Sequence, residues 1–158
     1  MFTFALLFLS IIAFFSRSAL AVDGIVTGFT SPVNIAAGST VTVTIDFTNI
    51  RYSIENDYGI IWGLVPPTYG CTECVGIRLG FTDLYAISGS YEAQRAITLQ
   101  IPGDVGGNYT LTGAVTGDGF PEGYVNQRFY YQTVLISRRV GPPTYTSSTH
   151  RVTPIPLM

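Results

Sequence analysis

The sequence predicts an all-β protein: a single immunoglobulin-like antiparallel β-sandwich of about seven strands, following an N-terminal signal peptide. Three observations predict it. Apolar and polar residues alternate in short runs rich in Val, Ile, Thr, Tyr and Phe, as in strands buried on one face. Segments rich in Gly, Pro, Asn and Asp separate these runs at short intervals, which is turn chemistry. No stretch shows a helical period with start and stop signals.

The first segment, residues 1–21, reads as a signal peptide. Phe2 to Phe15 is an almost unbroken apolar run, and Ala19-Leu20-Ala21 fits the small-x-small rule for cleavage before Val22. The run is shorter than the roughly 20 residues a membrane helix needs. No second apolar run follows, and the C-terminus carries no hydrophobic tail of the glycolipid-anchor type. The expectation is a secreted, extracellular protein with no membrane anchor.

Residues 22–137 then form one domain. Its strand signal is strongest at "TVTVTIDF", where Val41, Val43, Ile45 and Phe47 face one way and Thr40, Thr42, Thr44 and Asp46 the other. Similar runs are "GIVTGFT" (24–30), "DYGIIWGLV" (57–65), "VGIRLGF" (75–81), "RAITLQI" (95–101), "NYTLTGAVTG" (108–117) and "RFYYQTVLI" (128–136). "SPVNIAAGS", "VPPTYG", "IPGDVGGN" and "TGDGFPEG" lie between them as turns. Residues 138–158 lose the period and gain Pro, Ser and Thr, which predicts a disordered tail.

Two residues favour the immunoglobulin-like arrangement. Trp62 falls on the third long strand, where such folds bury an indole between sheets, sharing a face with Ile60 and Leu64. Tyr109 opens the sixth, resembling a tyrosine corner, although its spacing from Asp104 is longer than usual. The inter-sheet disulfide is absent, because the second strand has no cysteine and Leu111 stands where its partner would be. Packing must hold this sandwich.

Charge is scarce. Seven arginines against ten acids after residue 21 leave a net charge of about −3. Charged residues are 11% of the chain, against roughly 25% in ordinary domains. Such a surface offers no basic footprint for nucleic acid.

Cys71 and Cys74, the only cysteines, stand in C-x-x-C spacing within "GCTECVG". A redox motif of this spacing needs a helix N-terminus in a βαβ setting, and a structural zinc needs four ligands. Between two strands of a secreted protein, the pair reads instead as a short structural disulfide. His150, the single histidine, lies in the tail, where nothing holds it beside a nucleophile. Two carboxylate pairs, Glu55 with Asp57 and Asp118 with Glu122, read as solvated turn acids. The expectation is a protein that is not an enzyme, with no cofactor or metal, and no small-molecule ligand is expected. Asn108-Tyr109-Thr110 is the one N-glycosylation sequon.

In a sandwich of this type the connections "TNIRYSIEN" (48–56) and "TGDGFPEGYVNQ" (116–127) emerge at one end. They bring Arg51, Tyr52, Phe120 and Tyr124 together, residue types that dominate binding hot spots. Phe120 could equally fold back and cap the core. The last strand offers a rival surface, because Tyr130, Val134 and Ile136 share one face while Phe129, Tyr131 and Leu135 share the other. Its outer face must therefore be covered, by the tail or a second copy.

The stretches "SPVNIAAGSTVTVTI", "IIWGLVPP" and "CVGIRLGFTDLY", then "ITLQIPGDVGGNYTLTGAVTGDGF" and "NQRFYYQTVLI", resemble the Nis1-like family of fungal necrosis-inducing secreted effectors. The likeness covers roughly residues 22–137, and the C-x-x-C loop has no placed counterpart in it. The resemblance implies a small sandwich domain delivered to host plants, where members provoke cell death. It also implies binding to immune-receptor-associated kinases and suppression of pattern-triggered immunity. The expected function is that of a secreted, non-enzymatic effector that binds a host protein and acts in virulence. The alternative is an extracellular cell-wall or carbohydrate-binding module, which should show a row of exposed aromatics along one sheet face.

Overall fold

In the computed structural model, seven long strands and three short ones build two packed sheets. The structure describes residues 24–49, 57–71, 73–84, 86, 94–119, 124–139, 141–148 and 150–151. The expected signal peptide, residues 1–21, lies outside the described residues. The long strands are β1 (Gly24–Pro32), β3 (Thr40–Asn49), β4 (Asp57–Val65), β5 (Ile77–Asp83), β6 (Gln94–Gln100), β7 (Gly107–Gly119) and β8 (Tyr124–Ser137). Short strands are β2 (Asn34–Ala36), β9 (Tyr145–Ser147) and β10 (His150–Arg151). One sheet runs β6-β3-β1-β9; the other runs β10-β8-β7-β4-β5, with β2 pairing on β8. The all-β sandwich stands as predicted.

Alternation explains which residues reach the core. Val41, Val43 and Ile45 of β3 are buried while Thr40 and Thr42 are exposed. In β1 the buried residues Val26 and Phe29 are three apart, which a regular strand would put on opposite faces. A register irregularity between Val26 and Gly28 absorbs the extra residue and turns both inward. Trp62 is 0% exposed between the sheets, flanked by Ile60 and Leu64. Its indole N–H donates to Thr82 Oγ1 at 2.9 Å, and Phe29 meets it edge-on at 5.2 Å and 78°. Tyr109 packs as a partly buried ring against the core.

The segment read as the turn "SPVNIAAGS" contains β2, which pairs in parallel with β8 through Ile35↔Ile136. Val33 is the pivot. Its N–H donates to Thr144 O at 2.7 Å, and its carbonyl accepts from Leu135 N–H at 2.7 Å. One residue thereby hands the chain from the first sheet to the second. Turn residues alone carried no sign of this, because the partner is a strand a hundred residues away.

The tail also departs from expectation. Residues 138–158 were expected to be disordered, yet β9 pairs antiparallel with β1 and β10 with β8. Between them Ser148 donates its N–H to Phe29 O at 2.7 Å and accepts from Phe29 N–H on its Oγ at 2.8 Å. This stretch covers the edges of both sheets on one side of the sandwich. An edge strand with unpaired N–H and C=O groups supplies bonds that a Ser/Thr-rich segment can take without burying apolar surface.

Candidate functional site

The connections marked for binding leave the sandwich at one end. There β3 finishes at Asn49 and β4 starts at Asp57, while β7 finishes at Gly119 and β8 starts at Tyr124. In one sheet Asn49 pairs with Gly24, in the other Asp57 pairs with Gly117 and Gly119 with Tyr124, and a hydrogen bond from Val26 to Asp57 links the two. Arg51, Tyr52 and Phe120 lie outside the described residues. Tyr124 is the first residue of β8, and its side chain likewise lies outside them. Asp118 and Gly119, read as a turn, continue β7 instead.

A buried polar network sits at the base of these connections. Asp57 and Arg128 form an ion pair with both side chains almost wholly buried. The second Asp57 oxygen accepts from Val26 N–H at 2.7 Å, and Tyr130 donates its hydroxyl to Val26 O at 2.6 Å. Farther along β8, Gln132 Nε2 donates to Ser31 O at 3.0 Å. The irregular backbone of β1 is thus held by side chains from β4 and β8 in the opposite sheet. Asp57 had been read as a solvated turn acid; burial and the ion pair correct that. The signal was present in β8, where Arg128 and Gln132 alternate with buried Tyr130 and Val134 on the core face. An arginine there needs an acid across the core.

The outer face of the second sheet carries the other candidate. Phe81, Ile61, Ala114 and Phe129 form one row across β5, β4, β7 and β8. Phe81 is 56% exposed at one end, whereas Phe129 is 6% exposed at the other. The next row is Gly63, Thr112 and Tyr131. The rings of Phe129 and Tyr131 stack at 6.4 Å with planes 9° apart. At Gly63 this row meets the loop that contains the cysteines. A Cβ at Gly63 would run into the carbonyl oxygen and a methyl group of Val75, so only glycine lets the loop approach so closely.

Glu73 stands in the same loop, between the two cysteines. Burial, with the Glu73 carboxylate second, pushes the Tyr131 phenol from 10.0 up to about 12. The hydroxyls of Thr112 and Tyr131 are buried, with no hydrogen-bond partner among the described residues. Cys71 and Cys74 are joined in this loop with their Cα atoms 5.9 Å apart. After Val65 the chain makes a single 3-10 turn, Pro67–Tyr69, before reaching them. So the outer face expected to lie under the tail or a second copy is covered in part by the C-x-x-C loop.

The opposite outer face, on the first sheet, is polar. Thr40 donates to Gln100 Oε1 at 3.1 Å and Gln94 donates to Asp46 Oδ1 at 2.7 Å across β3 and β6. Among the described residues, exposed aromatics stand on three separate elements: Tyr69 on the 3-10 turn, Phe81 on β5 and Tyr145 on β9. Asn108, the sequon residue, is exposed at the start of β7. Among the described residues no group of His, Cys, Asp and Glu could hold a metal ion. Nor is any helix among them long and apolar enough to cross a membrane.

Fold and surface together define a small immunoglobulin-like sandwich domain whose strand ends on one side are braced by the buried Asp57–Arg128 pair. Residues 22–135 match the model of the Nis1 family. The chain belongs to the Nis1 family, an effector family. A comparison with curated proteins finds no match.

Proposed function

We propose that this protein is a secreted effector that acts without catalysis, by binding a host protein at the loop-bearing end of its sandwich. Family membership across residues 22–135 carries the reading. The architecture supports it, since the buried Asp57–Arg128 pair braces the strands from which the segments 50–56 and 120–123 depart. A rigid base lowers the entropic cost of presenting a binding surface. The partner class is a plant immune-receptor-associated kinase, and the consequences are suppressed pattern-triggered immunity and host cell death. Arg51, Tyr52, Phe120 and Tyr124 are the proposed contacts. The dispersal of Tyr69, Phe81 and Tyr145 over separate elements favours this reading over a polysaccharide platform.

The test is direct binding of the purified protein, residues 22–158, to the cytoplasmic domain of such a kinase by calorimetry. A panel of insoluble glucans and chitin runs in parallel. Saturable kinase binding that Phe120→Glu abolishes and Phe81→Glu leaves intact is the expected result. Retention on glucan or chitin with no kinase binding would replace this reading with the cell-wall module.

A further inference from the structure

Leu135 is an apolar side chain 42% exposed on the outer face of the second sheet. A single exposed leucine is ordinary on a protein surface. Its surroundings are less so. Asn108 of β7 is its register partner on one side and Asn34 of β2 on the other. Thr133, the next outward residue of β8, is also exposed. Leu111 and Val115 of β7 are buried in the core, so by alternation Asn108, Thr110 and Thr112 point outward. Asn108 therefore projects on the same face as Leu135. Asn108 is itself exposed.

We infer that Asn108 carries an N-linked glycan whose first sugars lie over Leu135 and shield it from water. Three features of the chain favour the modification. Asn108-Tyr109-Thr110 has the acceptor spacing, the Asn108 side chain is exposed in the folded protein, and the sequon begins a strand directly after a turn. In the transfer, the Asn108 amide nitrogen bonds to the anomeric carbon of a lipid-diphosphate-linked oligosaccharide. The bond from that carbon to the diphosphate oxygen breaks, the lipid diphosphate departs, and the amide gives up one proton. Placed across from Leu135, the apolar face of the first N-acetylglucosamine removes hydrocarbon surface from water. β7 runs on from Asn108 to Gly119, so the glycan stands about 35 Å from the loop-bearing end by strand rise. The inference holds whether or not that end binds a kinase.

The experiment is to secrete the full chain from a yeast host, release glycans from the folded protein with peptide N-glycosidase in heavy-oxygen water, and map peptides. Expected is a labelled Asp at position 108, with the mobility shift lost in both Asn108→Gln and Thr110→Ala. Unmodified Asn108 in the secreted protein overturns the site. For the shielding role, wild-type protein stripped of glycan after folding should show a several-fold lower solubility limit than the glycosylated form. Stripped Leu135→Thr should show no such drop. An unchanged solubility on stripping the wild type overturns the shield, and this comparison needs no variant to fold without its glycan.

Discussion

Gly113 of β7 stands directly across from Trp62 of β4, and the indole occupies the space a side chain there would need. A Cβ at position 113 would lie 3.0 Å from Trp62 Cζ3 and 3.4 Å from Ile60 Cγ2. The largest core side chain is matched to the smallest residue on the next strand, as close packing demands. Gly113→Ala should therefore destabilise by about 1–3 kcal/mol through overpacking. Trp62→Ala should cost about 3–5 kcal/mol and also orphan the Thr82 hydroxyl. Urea unfolding checks both; a neutral Gly113→Ala would show that the indole has room to shift.

The Asp57–Arg128 pair predicts strong coupling. Removing either partner leaves a buried charge uncompensated, so Asp57→Asn and Arg128→Met should each cost about 3–5 kcal/mol. Asp57→Asn weakens only the charge pairing, since its side chain can still accept from Val26 N–H. The double variant should cost well below the sum of the singles. Additive losses in a double-mutant cycle would mean that the two side chains do not depend on each other.

Tyr131 and Glu73 give a pH prediction. The folded phenol titrates at about 12 rather than 10.0, so between these values the unfolded chain has lost a proton that the folded one keeps. Stability accordingly falls as pH rises through this window. In tyrosinate absorbance, the component lost in Tyr131→Phe should be among the last to titrate. Glu73→Gln should lower it only partly, because burial is the larger cause. An ordinary phenol at 131 would show that the side chain is not buried in the folded protein.

Reduction of Cys71 and Cys74 bears on the same loop. Intact mass with alkylation before and after reduction should show no free thiol in secreted protein. Replacing both by serine should cost about 2 kcal/mol or less, given the short loop closed, with the sandwich retained in circular dichroism. Loss of the fold would mean that the cover, rather than the two-sheet core, holds the domain together.

The C-terminal strands supply the last prediction. Truncation after Pro143 removes β9, β10 and both Ser148 bonds to Phe29, opening the edge of β1 and the part of β8 at Tyr130 and Tyr131. Stability should fall by a few kcal/mol and association should rise with concentration. Equal unfolding midpoints and a monomeric profile for both lengths would show the segment to be dispensable.

Most strand positions and core faces were legible because the long strands, β1 with its irregularity apart, carry their own period. Val41, Val43 and Ile45 declare their face within five residues, and Ile60, Trp62 and Leu64 do the same. The C-x-x-C spacing marked a staple without saying what it lay against. Gly63, which admits Val75, looks like any strand glycine until the loop is seen above it.

The sequence by itself determined the all-β class, the seven long strands and the burial of Trp62, because alternation is local and survives without knowledge of partners. Only the tertiary structure decided that Asp57 is buried against Arg128, that β2 changes sheets at Val33, and that the tail pairs as β9 and β10. It also decided that the cysteine loop lies against Gly63. The physical reason is common to all four. Each depends on a contact with another segment of the chain, by hydrogen bond, ion pair or close packing, and neither period nor composition records which segment will meet it.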